Sequence, residues 1–293
     1  PLGAIFKALR NGSIRVDGKK AKPDLRIEAG MVLALRLPES DLAKCRGSSE
    51  SSPAPMRSAT AAPMKFDGPV RFEVRGQVPV VLHRDEHVLV VDKPAGMASQ
   101  PGTGQDGIDL TAWLESYVGE LRTATFTPAP AHRIDRGTSG VVAIGLSPLG
   151  LRGLAAAFRD GTAHKVYLAV VHGVPSPRKS TIDAPLLTVS AVRRDAPKVR
   201  VDRRGEAART DYEVVSTRGD RSLLRLVLHT GRMHQIRAHL EHLGHPIVGD
   251  LRYGSSARRL GTFLLHAAEL TVTHPATNEP LHVVAAAPPE FRF

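Results

Sequence analysis

His132-Arg133-Ile134-Asp135-Arg136-Gly137-Thr138-Ser139-Gly140 lies mid-chain, directly before the apolar run Val141 to Leu146. A proline-broken segment (Pro128, Ala129, Pro130) precedes it. The apolar run reads as a buried strand, so the polar stretch is its mouth. A carboxylate there, between two arginines, is poorly explained by folding alone. Loop–strand junctions leave polar groups free to react while the strand holds them still. Asp135 is therefore the candidate catalytic carboxylate. The residues alone leave a second reading, an Asp that only closes a turn.

Outward from this stretch the chain reads as alternating strands with few, short helices. Val88-Leu89-Val90-Val91 is a buried-type strand stopped by Asp92-Lys93-Pro94-Ala95-Gly96. Lys93 at that turn suits a phosphate contact or plain solvation. Ala112 to Leu121 reads as a helix with Trp113, Leu114 and Val118 inward. A second helix spans Gly150 to Arg159. His164 to Val171 alternates as a strand that puts Lys165, Tyr167 and Ala169 on one side. Residues 180–229 alternate as several strands with Arg193, Arg194, Lys198, Arg200, Arg203 and Arg204 inserted. Thr230 to Leu240 turns from loop into helix. A last strand pair begins near Phe263 and ends near Ala287. The expected fold is α+β: a mixed, mainly antiparallel central sheet with flanking helices, plus a small N-terminal α/β module.

The chain divides on composition into residues 1–38, 39–68 and 69–293. The first is compact and basic. Ala4 to Leu9 reads as a helix end, Asn11-Gly12 and Asp17-Gly18 as turns, and Ser13 to Asp17 as a strand. Residues 39–68 read as a linker, because Gly47 to Pro63 is rich in Ser, Ala and Pro and has no apolar period. Lys plus Arg number 40 against 29 Asp plus Glu, a net charge of +11, which favours a polyanionic partner. No apolar run reaches spanning length, so nucleic acid is preferred to membrane. The single cysteine, Cys45, allows no intrachain disulfide and fits a reducing cytoplasm. The 13 histidines form no HExxH, and one cysteine excludes thiolate-rich zinc sites, so no metal is expected.

Six stretches carry a family likeness. They are the opening stretch, Asp92 to Gly96, Lys165-Val166-Tyr167-Leu168-Ala169, Gly231 to His239, Gly244 to Asp250, and Leu265-His266-Ala267. In this order they resemble the RluA family of pseudouridine synthases. Asp183-Ala184-Pro185-Leu186-Leu187 and the basic stretch 190–212 look most like its RluC subgroup, which acts on large-subunit ribosomal RNA. Residues 1–38 resemble an alpha-L type RNA-binding module lacking its first helix, through Ile5 to Arg10, Gly12, Ile14 to Val16, Gly18 to Lys20, Lys22-Pro23 and Gly30. Three positions depart from the family pattern: Met233 stands where Thr is usual, Gly137 where an acidic residue is frequent, and Gln100 where His is usual.

The resemblance implies an isomerase that detaches uracil from C1′, turns it and rejoins it through C5, with no external donor and no cofactor. It makes Asp135 the nucleophile, with attack on C1′, addition to the base and removal of the 2′ proton all left open. Arg237 becomes the basic partner that a part-buried carboxylate needs. Tyr167 becomes the active-site tyrosine and Leu265 the apolar face against uracil. Arg133 is the side chain that fills the stack vacated by a flipped base. Lys93, Lys165, Arg232, His234 and Gln235 are expected RNA contacts in the catalytic domain, and Lys7, Arg10, Arg15, Lys19 and Lys20 in the N-terminal module. The expected partner is ribosomal RNA and the expected state a monomer. The alternatives are a tRNA or dual-specificity enzyme, or a non-catalytic assembly factor. A hydrolase reading lacks both a metal cluster and a Gly-x-Ser-x-Gly elbow.

Overall fold

A computed structural model describes residues 78–101, 109–189, 198–255 and 262–292, and the backbone of three short strands before them. The chain divides into two units, Pro1–Phe66 and Asp67–Phe293. In the first, β1 (Ile14–Val16) pairs antiparallel with β2 (Lys19–Lys20) and β3 (Leu33–Leu35). Val16 pairs with Lys19 in this register. The expected helix end at Ala4 to Leu9 and the expected linker lie outside the described residues, as do Lys7 and Arg10. Of Arg15, Lys19 and Lys20 only the backbone is described.

The second unit is built on one mixed sheet. Its strands in chain order are β4 (Val80–Arg84), β5 (Val88–Lys93), β6 (Ala129–Pro130), β7 (Ser139–Gly145), β8 (His164–His172), β9 (Lys179–Asp183), β12 (Arg209–Arg218), β13 (Arg221–Leu228), β14 (Leu265–Thr273) and β15 (Pro280–Val284). A separate hairpin, β10 (Leu186–Val189) with β11 (Lys198–Val201), stands beside it. The sheet runs β4-β5-β7-β14-β8-β13-β12-β9, with β15 also on β14 and β6 also on β7. Every pairing is antiparallel except β7 with β14, where Ser139 meets His266 and Gly140 meets Ala267. This is the mixed, mainly antiparallel sheet that the sequence predicts.

Among the described residues three α-helices cover it: α1 (Leu110–Val118), α2 (Pro148–Arg159) and α3 (Gln235–His242). β5 is apolar at consecutive positions because both its faces are covered. Leu89 and Val91 join Trp113 and Leu114 of α1, while Val88 and Val90 join Leu154 of α2. β13 strictly alternates instead, sending Leu224, Leu226 and Leu228 into a cluster with Ile236 and Leu240 of α3. Two helices start earlier than their apolar period suggests, and caps explain both. Asp109 accepts a hydrogen bond from the Ala112 N–H at 3.0 Å, so α1 begins at Leu110. Ser147 accepts from the Gly150 N–H at 3.1 Å, with Pro148 in the first turn of α2.

The parallel contact of β7 with β14 positions the site. It is so close that a Cβ on Gly140 would lie 2.1 Å from the Ala267 carbonyl oxygen, and Gly140 has φ +113°. Only glycine fits there. The loop of Asp135, just before β7, is thereby brought to the start of β14.

Candidate active site

Arg237, in the first turn of α3, donates from Nη1 to Asp135 Oδ2 at 2.9 Å across 102 residues of chain. The same guanidinium donates from Nε to Asp250 Oδ2 at 2.6 Å and from Nη2 to Asp250 Oδ1 at 2.9 Å. Two carboxylates thus share one arginine, which is also flanked by the rings of Tyr253 and Phe263 at 4.7 and 4.4 Å. The flat cation between aromatic faces has little freedom to turn. Burial works to lower the Arg237 guanidinium, but hydrogen bonds and charge from Asp250, joined by Asp135, hold it above its ordinary value.

His234 stands beside Asp135, with Nε2 3.8 Å from Asp135 Oδ2. Its backbone is left-handed, with φ +52°, which a non-glycine residue adopts at some energetic expense. Its Nδ1 shares a hydrogen bond with Tyr253 Oη at 2.9 Å, and Tyr253 Oη accepts from the Val199 N–H at 3.0 Å. Burial pulls the imidazole below its ordinary value, against the pull of Asp135.

Asp135, Arg237 and His234 border a cavity of about 420 Å³ together with Tyr167 and Leu265. Arg133, Lys165, Arg232 and Gln235 also border it. The predicted residues of the catalytic domain therefore converge on one cavity, with Lys93 the exception. Burial, reinforced by the Asp135 charge, raises the Tyr167 phenol well above its ordinary value, so it stays a neutral hydroxyl. Arg133 is exposed and lines the cavity, with no ion pair or hydrogen bond among the described residues. Arg232 is tied to the Ala207 carbonyl at 3.1 Å and the Glu206 carboxylate at 2.5 Å.

Two expected RNA contacts are corrected. Lys93 is fully buried, and its ammonium donates to the carbonyls of Pro94 at 2.9 Å, Met97 at 2.8 Å and Arg136 at 3.4 Å. The chain reversal after β5 folds its own carbonyls over the strand end, so Lys93 ties that turn to the Asp135 loop instead of reaching phosphate. Ser99 works beside it, donating to the Ile134 carbonyl at 2.8 Å. Arg136 also belongs to this clasp, through Nε to the Gly96 carbonyl at 2.8 Å. Gln235 is 2% exposed, and both ends of its amide are used internally. It donates to the Arg209 carbonyl and Thr210 Oγ1, and accepts from Thr230 Oγ1 and the Arg232 N–H. It braces the loop before α3 and has no donor left for a ligand.

Asp250, Tyr253 and Phe263 received no role from the sequence. A lone Asp in a glycine-rich turn carries no local signal for a partner 13 residues earlier. The glycine at 137 is explained by one of them: a Cβ there would lie 2.5 Å from the Phe263 ring, so a larger side chain has no room unless that ring moves.

The family described as RNA pseudouridylate synthase matches residues 87–242, the segment that carries Asp135, Tyr167 and Arg237. The chain belongs to this family. Among its curated members, ribosomal large subunit pseudouridine synthase C of Salmonella typhimurium is 32% identical over 97% of this chain and 84% of its own length. The protein of the same name from Escherichia coli K12 has the same identity and coverage. This supports the RluC-like subgroup within the RluA family. Two human pseudouridylate synthases share the fold. RNA Pseudouridylate Synthase Domain Containing 1 superposes with a TM-score of 0.60 at 26% identity, covering 73% of this chain and 86% of that one. Domain Containing 4 gives 0.58 at 27%, covering 72% and 89%. Pseudouridine synthases are isomerases, and this chain is one of them by family.

Proposed function

We propose that this enzyme converts specific uridines of large-subunit ribosomal RNA to pseudouridine, with Asp135 as its reacting group. The observation that carries this reading is the Asp135–Arg237 ion pair at 2.9 Å, on a cavity shared with Tyr167 and Leu265. The carboxylate needs to be held, aimed and accessible. Arg237 holds it, His234 stands beside it, and its side chain remains 23% exposed to the cavity. While uracil is detached and turned, Asp135 acts at the ribose or the base. Leu265 supplies an apolar surface for the uracil, and the neutral Tyr167 hydroxyl is a donor and acceptor near the proton that must leave C5. Arg133, exposed beside the cavity, fills the stack left by the extruded nucleotide. Residues 1–38 act as an added RNA-holding module joined by the 39–68 linker. The protein acts as a cytoplasmic monomer and needs no cofactor.

The test is Asp135→Asn. This variant binds ribosomal RNA as wild type does and forms no pseudouridine; a normal product yield would sink the mechanism. Carbodiimide mapping of ribosomal RNA from cells with and without the gene identifies the uridines. If the lost positions fall in tRNA alone, the substrate assignment is wrong while the chemistry stands.

A further inference from the structure

Lys165 is 9% exposed, yet its ammonium has no hydrogen bond or ion pair with any described residue. An unpaired buried cation is expensive to keep, and burial pulls this one below the ordinary lysine value. The side chain lines the same cavity as Asp135 and Tyr167. Tyr167 faces Ala267 of β14, while Lys165 faces Leu270, farther along the strand. Two residues along β8 at about 3.3 Å each put Lys165 roughly 7 Å from Tyr167. His132, Phe158 and Arg159 line the same cavity.

The His132 ring, close enough to Lys165 to feel its charge, is stacked on Phe158 with centroids 4.0 Å apart. His132 Nε2 accepts from the Ala143 N–H at 2.9 Å, so the hydrogen must sit on Nδ1. Burial, helped by the Lys165 charge, drives that imidazole down to about 3, leaving a neutral donor. Arg133 and Arg159, both exposed, also border the cavity. Among the described residues, the only carboxylate lining the cavity is Asp135, which is held by Arg237. Arg159 is paired with Asp160, which leaves Lys165 as the buried cation without a partner.

We propose that Lys165 makes its part of the cavity a phosphodiester subsite, in which its ammonium takes the backbone phosphate that flanks the flipped uridine. The assignment rests on the RNA-modifying reading above. Phosphate is the one group of RNA that is anionic at neutral pH, so it alone answers an uncompensated cation. A base edge would leave the charge unpaired. Neutralising it only on binding links substrate capture to the strand that also carries Tyr167. The uridine and its neighbouring phosphate are then gripped two residues apart on β8.

The test uses Lys165→Met in the Asp135→Asn background, so that binding is read without turnover. The probe is a short synthetic RNA hairpin around a mapped uridine, with single methylphosphonate linkages placed in turn along it. Kd rises roughly tenfold for Lys165→Met, and the slope of log K against log salt falls by about 0.7, one single-strand phosphate contact. One flanking methylphosphonate weakens the lysine form by a similar factor and leaves the methionine form unaffected. In the Asp135 enzyme the loss falls on KM. Lys165→Gln gives the same pattern if methionine disturbs the strand. The proposal is overturned if the methylphosphonate losses are equal in both forms at every linkage, or if Kd is unchanged and the loss falls on kcat. If the Asp135 enzyme makes no pseudouridine at all while the linkage-specific Kd effect persists, the subsite stands and the enzymatic reading fails.

Discussion

Asp250→Asn separates the holding of the site from its chemistry. Asp250 is 1% exposed and Arg237 6%, so neither has water to replace a lost partner. The carboxylate accepts two charge-assisted hydrogen bonds, at 2.6 and 2.9 Å. Asparagine keeps one acceptor and turns an amide N–H₂ toward a guanidinium N–H. Hydrogen bonds to charged groups contribute about 1.5–3 kcal/mol each, and breaking a buried pair from one side costs about 3–5 kcal/mol. Arg237 retains Asp135 and two aromatic faces, so a loss of about 3 kcal/mol in unfolding free energy is expected. Asp135→Asn removes a more exposed partner of the same arginine and destabilises less. Activity reverses the order. Asp135→Asn abolishes product, while Asp250→Asn slows a single turnover roughly 10–100-fold, as expected when a reacting group is displaced by about 1 Å. Urea unfolding and single-turnover pseudouridine formation read the two scales. An Asp250→Asn protein that unfolds at the wild-type urea midpoint would refute the claim that Asp250 anchors Arg237.

Two further perturbations follow from the geometry. Burial lowers the Lys93 ammonium to about 7, against the pull of Asp135 and Asp92, whereas an unfolded lysine titrates near 10.5. Between those values the unfolded chain binds the extra proton, so stability increases as pH rises through this range, and Lys165 adds with the same sign. Buried histidines such as His239 act below pH about 6.5 and buried tyrosines above about 10, which leaves pH 7–9 to the lysines. Urea melts across that window should show a positive slope that shrinks in Lys93→Met; a flat wild-type profile contradicts the reasoning. Gly137→Ala places a methyl 2.5 Å from the Phe263 ring and should cost about 1–3 kcal/mol. Phe263→Leu in the same chain should recover part of that loss, and strictly additive effects would show that the two sites do not touch.

Where the polypeptide itself carries a periodic signal, sequence and structure agree. β5 and β7 are continuous apolar runs because both faces are covered, and β13 buries every second residue because its other face is only partly covered. The two early helix starts came from a capping Asp and a capping Ser, signals present in the sequence but outside the apolar period. At the site, the pairing of Asp135 with Arg237 follows from family likeness, since no spacing rule connects residues 102 apart. Lys93 was misread because a lysine in a turn is ordinarily solvated. Its three carbonyl acceptors come from its own reversal and from a loop 43 residues later, and only the fold brings them together. Gln235 was misread for the same reason, and Asp250 was passed over. Buried polar networks have no period, so they escape pattern reading even where every hydrophobic element is recognised.

The single parallel pairing, β7 against β14, has a consequence for how the protein comes into being. One flank of the sheet, with the Asp135 loop, is complete once β7 has been made. The other flank holds Tyr167 and Arg237. The two meet only when β14, near the end of the chain, slides between β7 and β8. Asp250 and Phe263, which fix Arg237, are also late arrivals on the ribosome. A growing chain can therefore fold much of its framework while its carboxylate has no arginine partner. The pairing of Asp135 with Arg237 thus depends on the last central strand and on the residues just before it.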